Sequence, residues 1–192
     1  MFNRYTTAVI NVHEAYPGHF LQFLYIPSVK SKVRKLLYAT ANVEGWAHYA
    51  EQMMIDEGFD GGFDGGFDGG PDGKVAGPKD RARVRLAQLQ EALLRDCRFI
   101  VAIKMHTEGM SVDDATRFFV ERGFQEQANG REEAMRGTYD PMYLAYTLGK
   151  LQIQALRDKY RARTGRDLRA FHDAFVAQGG LPVAFVERLI LP

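Results

Sequence analysis

Residues 84 to 105 read VRLAQLQEALLRDCRFIVAIKM, a run with no glycine or proline and mostly strong helix formers. At ~1.5 Å of rise per residue it spans roughly 33 Å, about the width of a small domain. A helix that long needs neighbours to cover it, and the rest of the chain signals helices. Leu86, Leu89, Leu93, Cys97 and Ile100 form its expected buried stripe. Ser111 begins Ser-Val-Asp-Asp, a capping-box-like start for a helix through Phe118 and Phe119. Asp140 and Pro141 read as N-cap and first residue of a helix running to about Arg163 and closed by Gly165. Asp167 opens the next helix, which ends at Gly179 and Gly180, and Pro182 opens a last short one. No convincing pair of alternating segments argues for strands. The expected fold class is all-α, as a single domain over residues 1–192.

One segment breaks the pattern. Residues 59–73, FDGGFDGGFDGGPDG, repeat every four residues with Asp60, Asp64, Asp68 and Asp72 in step. So much glycine does not hold a helix, and one aromatic per repeat does not build a core. The spacing matches neither an EF-hand loop nor a nine-residue calcium repeat. A flexible expanded loop is the expectation.

Charge narrows the partners. Lys and Arg number 25 against 24 Asp and Glu, which gives no support for a nucleic-acid or anionic-membrane partner. A single cysteine, Cys97, excludes an internal disulfide and reads as a buried bystander. No stretch has the length and purity of a membrane span. The first residues, MFNRYTTAVINV, lack a signal-peptide core and cleavage site, so the chain as given reads as cytoplasmic, although a natural protein truncated here would have lost its own address label.

The chemistry begins at HEAYPGH, residues 13 to 19. Catalytic zinc needs three protein ligands and an open position, and a carboxylate next to a ligand can take a proton from the activated water. His13 and His19 could supply two ligands, with Glu14 the base. Six residues apart, the two histidines point about 240° around a regular helix and cannot share a metal. Pro17 lacks an N–H and clashes with the carbonyl of His13. A bulge or kink is expected there, returning His19 to the face of His13. Residues 44–51, EGWAHYAE, place Glu44, His48 and Glu51 on one helical face as a wall for the metal.

HEAYPGHFLQ followed by VEGWAHYAE resembles the bacterial domain-of-unknown-function family 885, with its H-E-x-x-P-G-H-x-x-Q and E-G-W-A-x-Y-A-E patterns. It also resembles the gluzincin metallopeptidases, which carry H-E-x-G-H and a Glu ligand about two dozen residues later. HTEGMSVDDATRFF, from His106, and PMYLAYTLGKLQI, with Tyr146 and Gly149, resemble two later motifs of the family. His48 and Met110 depart from it, standing where an apolar residue and a Trp are usual. The resemblance implies that His13, His19 and Glu44 are zinc ligands, that Glu14 is the general base, and that the substrate is a peptide. It implies a helical gluzincin-like catalytic portion with a kinked metal-binding helix.

Other residues follow from that reading. Glu51 is expected to orient a ligand histidine, and His48 to do the same or stay partly exposed. Tyr146 is the expected hydrogen-bond donor to the reaction's oxyanion, with Tyr143 and Tyr139 as competitors. His106 either caps its helix or bonds the substrate or the developing oxyanion. Trp46 is expected to pack between the metal helices. Family members are normally far longer, so the chain reads as the C-terminal catalytic third of such a protein. In that case Phe20, Phe23, Leu24 and the stretch from Leu93 to Ile103 are left part-exposed, and self-association is expected. Two rival expectations stand beside the active enzyme: a zinc binder without turnover, and a structural helical domain with a buried polar network.

Overall fold

The computed structural model describes residues 3–59 and 78–191, and every element in them is helical. The repeat from Asp60 to Gly73 lies outside the described residues. In chain order the α-helices are α1 (Arg4–Glu14), α2 (His19–Tyr25), α3 (Lys32–Leu36), α4 (Thr40–Asp56) and α5 (Pro78–Thr107). They continue as α6 (Val112–Gly123), α7 (Gln127–Tyr139), α8 (Ala145–Thr164), α9 (Leu168–Val176) and α10 (Val183–Ile190).

Local chemistry sets several boundaries. Ser111 accepts from the Asp114 amide and Asp167 from the Ala170 amide, so both act as N-caps. Gly165 closes α8 in the left-handed conformation, with φ +67°. Asp140, in contrast, makes no cap. Its carboxylate pairs with Arg136 of α7, and Pro141 opens a short 3-10 helix (Pro141–Leu144) that leads into α8. The expected single helix from Pro141 is therefore two elements.

The centre of the molecule is the pair α4 and α8. They cross at Gly45 and Gly149, where a Cβ on Gly149 would sit 1.7 Å from the Ala41 carbonyl oxygen. Two backbones in direct contact bring the N-terminal end of α8, with Tyr146, beside the middle of α4. On one side, Trp46 and Tyr49 of α4 pack with Ile153 and Leu156 of α8 and with Phe171 and Phe175 of α9. Trp46 stacks on Phe175 of α9 with ring centres 5.4 Å apart. A second cluster joins Cys97 and Val101 of α5 to Phe119 of α6 and Ala134 of α7. Burial there pushes the Cys97 thiol up to about 11, which suits a packing role.

Gly149→Ala is expected to destabilise the fold by about 3 kcal/mol or more, since backbone must move to admit the methyl. That corresponds to a fall of roughly 6–12 °C in Tm for a domain of this size. Helix propensity alone has the opposite sign, because alanine is about 1 kcal/mol better than glycine in a helix interior. An unchanged melting curve by circular dichroism would remove the close crossing from the account.

The expected apolar stripe of α5 is corrected. Leu86, Leu89 and Ile100 are exposed, whereas Val84, Gln88, Arg95, Arg98 and Val101 are buried. The inner face of α5 is part apolar and part polar, because it closes over a polar site. Phe20, Phe23 and Leu24 of α2 are exposed, as are Leu36, Leu37 and Tyr38. Among the described residues no helix is long and apolar enough to cross a membrane.

Candidate metal centre

The break at Pro17 is sharper than a kink. Helix α1 ends at Glu14 and α2 begins at His19, with four non-helical residues between them. The Tyr16–Pro17 peptide is cis. Gly18 folds back against the end of α1 so closely that a Cβ would lie 1.8 Å from the His13 carbonyl oxygen. Any side chain there would push α2 away. Trp46 secures the turn from α4, its indole N–H donating to the Pro17 carbonyl at 2.8 Å. Behind α2, the buried Gln22 side chain donates to Asn42 at 2.8 Å. The expected bulge inside one helix is thus a break between two, since a proline and a tightly packed glycine leave no helical path from Ala15 to His19.

The turn brings the two histidines face to edge, ring centres 4.8 Å apart. Glu44 of α4 stands opposite both. Its Oε2 lies 3.7 Å from His13 Nε2 and 3.4 Å from His19 Nε2. Ligand-type atoms of His13, His19 and Glu44 all fall within 4.8 Å of one another, so these three side chains could hold a metal ion.

Behind His13 stands a buried polar network. His13 Nδ1 is 2.6 Å from Glu51 Oε1, and His48 Nδ1 is 3.2 Å from Glu51 Oε2. Arg95 Nη2 adds a contact of 3.1 Å to Glu51 Oε1. A carboxylate only accepts hydrogen bonds, so both Nδ1 atoms carry their protons toward Glu51. Burial alone would push the Glu51 carboxyl up. Arg95 and the two histidines outweigh it and hold the group well below the usual range. His48 goes the other way: burial lowers it to about 4 despite Glu51, so it is neutral at pH 7.

This assignment leaves a conflict on the other side of His13. With Nδ1–H committed to Glu51, a neutral ring aims its Nε2 lone pair at the Glu44 carboxylate, acceptor against acceptor. Either a proton on Nε2 or a bound cation relieves it. Burial by itself lowers His13, yet Glu44 and Glu51 reverse the sign and the group is raised. Burial raises Glu44, yet the two histidines pull it down to about 2. In protein alone a proton takes the place of the cation, but 3.7 and 3.4 Å are long for an N–H···O bond, which prefers ~2.7–3.2 Å.

The remaining residues divide. Glu14 is exposed at the last position of α1, directly after His13. Tyr146 lies at the start of α8, its ring roughly parallel to His13 with centres 6.2 Å apart. Burial and Glu44 both raise its phenol, so it keeps its proton at neutral pH. Tyr143 is buried in the second core cluster with its hydroxyl unpartnered, and Tyr139 is exposed. His106, near the end of α5, is not among the grouped residues. Its Nε2 lies 2.9 Å from the Gly137 carbonyl and ties α5 to α7. Arg95 was not legible as a site residue. Glu91, Asp96 and Arg98 nearby are charged as well, so nothing in this stretch of α5 singles it out.

A family model described as "Bacterial protein of unknown function (DUF885)" matches residues 1–190. The chain belongs to this family. Two solved structures share its fold. A "putative lipoprotein of unknown function" from Shewanella oneidensis is 29% identical, with a TM-score of 0.77, and the match covers 94% of this chain and 30% of that one. A "putative lipoprotein" from Colwellia psychrerythraea is 26% identical, with a TM-score of 0.77, covering 95% of this chain and 29% of that one. The chain therefore spans about 30% of the length of these relatives. No curated protein matches it.

Proposed function

We propose that the chain carries the zinc site of a hydrolase that cleaves peptide bonds. The observation that supports this most is the convergence of two imidazole nitrogens on one carboxylate oxygen at 3.7 and 3.4 Å. Ligand atoms at ~2.0–2.1 Å from a tetrahedral zinc lie roughly 3.3–3.4 Å apart, close to that spacing. Two histidines and a glutamate, with a fourth position left for water, are a catalytic rather than a structural ligand set. The Glu51 carboxylate behind His13 matches the usual arrangement in which a ligand histidine donates its other N–H to a fixed acceptor.

When bound there, zinc supplies a Lewis acid that acidifies a water and polarises a carbonyl. His13, His19 and Glu44 hold it. Glu14, exposed beside His13, takes a proton from the water and returns it to the departing amine. Tyr146 keeps its hydroxyl proton and offers it as a hydrogen bond to the negative charge that develops on the carbonyl oxygen. The order His-Glu, Gly-His and a later Glu is the one seen in gluzincin peptidases, and it favours a peptide substrate. The exposed face of α2, with Phe20, Phe23 and Leu24, favours self-association of the chain.

The test is hydrolysis of a mixed peptide library by purified protein, with and without zinc and a chelator. Cleavage abolished by chelator and restored by zinc is the expected result. Zinc bound without cleavage would reduce the reading to a metal-binding domain.

A further inference from the structure

Arg95 enters the site from α5 and is buried. Its Nη2 lies 3.1 Å from Glu51 Oε1, the oxygen that accepts from His13 Nδ1 at 2.6 Å. The same Nη2 comes within 3.5 Å of His13 Nδ1 itself, two donors brought together by the oxygen they share. From behind, Nη1 donates to the Glu91 carbonyl at 2.8 Å and to Glu91 Oε2 at 2.9 Å. The guanidinium carbon stands 5.5 Å from the centre of the Tyr146 ring. One planar cation, anchored on its own helix one turn back, thus touches the carboxylate that orients His13 and covers a face of Tyr146.

We propose that Arg95 is a positioning residue for the metal centre, fixing His13 through Glu51 so that Nε2 points at the place shared with His19 and Glu44. The inference rests on the zinc reading above. The physical reason is geometric. Glu51 is held by two imidazole N–H groups from α1 and α4, both of which can turn about their own side-chain bonds. The guanidinium is a fixed fork whose second arm is bonded to α5. It pins the Glu51 oxygen in one place relative to three helices, and His13 follows. Removal leaves the buried Glu51 carboxylate without the guanidinium that contacts it, free to swing or to draw in water, and His13 loses its single orientation.

The test is cobalt(II) titration of the full chain, read both as affinity and as the visible absorption of the bound ion, which reports ligand geometry without any substrate. Arg95→Met is expected to weaken binding by about 10–100-fold, the usual cost of losing an outer partner of a ligand, and to alter the spectrum. Arg95→Lys restores a cation without the fork and is expected to recover only part of the affinity. Glu51→Gln should weaken binding similarly. The double variant Glu51→Gln with Arg95→Met removes both buried charges together, so it is expected to keep its fold, with a melting curve as the check, and to lose no more affinity than Glu51→Gln alone. Wild-type affinity and spectrum in a folded Arg95→Met protein would overturn the proposal, as would losses that multiply in the double variant. No cobalt or zinc bound by the wild-type chain would overturn the metal reading itself. That result differs from the failure of Arg95 alone, in which only the variants behave unexpectedly.

Discussion

Glu44→Ala is expected to lower zinc affinity by more than the ~10–100-fold that loss of an outer partner costs. Glu44 supplies the one anionic oxygen on which both imidazoles converge. Without it, two neutral ligands remain, and the Glu51 carboxylate behind His13, already paired with Arg95, offers no ligand oxygen. The variant should keep its fold. Glu44 is only partly buried, and alanine is the best helix former for its position near the start of α4. Competition titration against a chromophoric chelator, with a melting curve as the control for folding, checks this. Normal affinity in Glu44→Ala would make the third-ligand assignment wrong. His48 would then be the next candidate, although its Nδ1 is committed to Glu51.

The second large effect concerns turnover. Glu14→Gln is expected to leave metal content and stability unchanged and to reduce kcat by about 10²–10⁴-fold, the range that general-base catalysis supplies. Glutamine is nearly isosteric and cannot accept the proton. Because Glu14 is exposed at the end of α1, little packing depends on it, which separates the chemical effect from a folding effect. Steady-state kinetics at matched zinc content is the measurement. Full activity in Glu14→Gln would remove this residue from the mechanism.

Features written in neighbouring residues are legible in the sequence. Ser111 and Asp167 are caps because their side chains reach amides three residues on. Gly165 ends α8 because the left-handed turn favours glycine. The approach of His19 to His13 was also legible, since Pro17 forbids a regular helix. The form it takes was not, because the break depends on Gly18 seating against the end of α1 and on Trp46 reaching across from α4. Those are contacts over distance in sequence. Asp140 misled for a related reason: a residue that looks like a cap is instead paired with Arg136. The largest gap concerned α5. A hydrophobicity pattern assigns leucines to the core, yet here Leu86 and Leu89 face outward and Arg95 inward. A buried cation reads as a surface residue until its partner is known, and Glu51 lies on a different helix. The bond of His106 to the Gly137 carbonyl likewise depends on how α5 and α7 meet.

The central claim is that His13, His19 and Glu44 hold one zinc ion. The most direct test is the metal content of the purified chain, measured by mass spectrometry after equilibration with zinc and removal of loosely bound ion, in wild type and in His19→Ala side by side. One zinc per chain is expected in the wild type, and essentially none in a folded His19→Ala protein. A metal-free wild type, or equal zinc in both proteins, would contradict it.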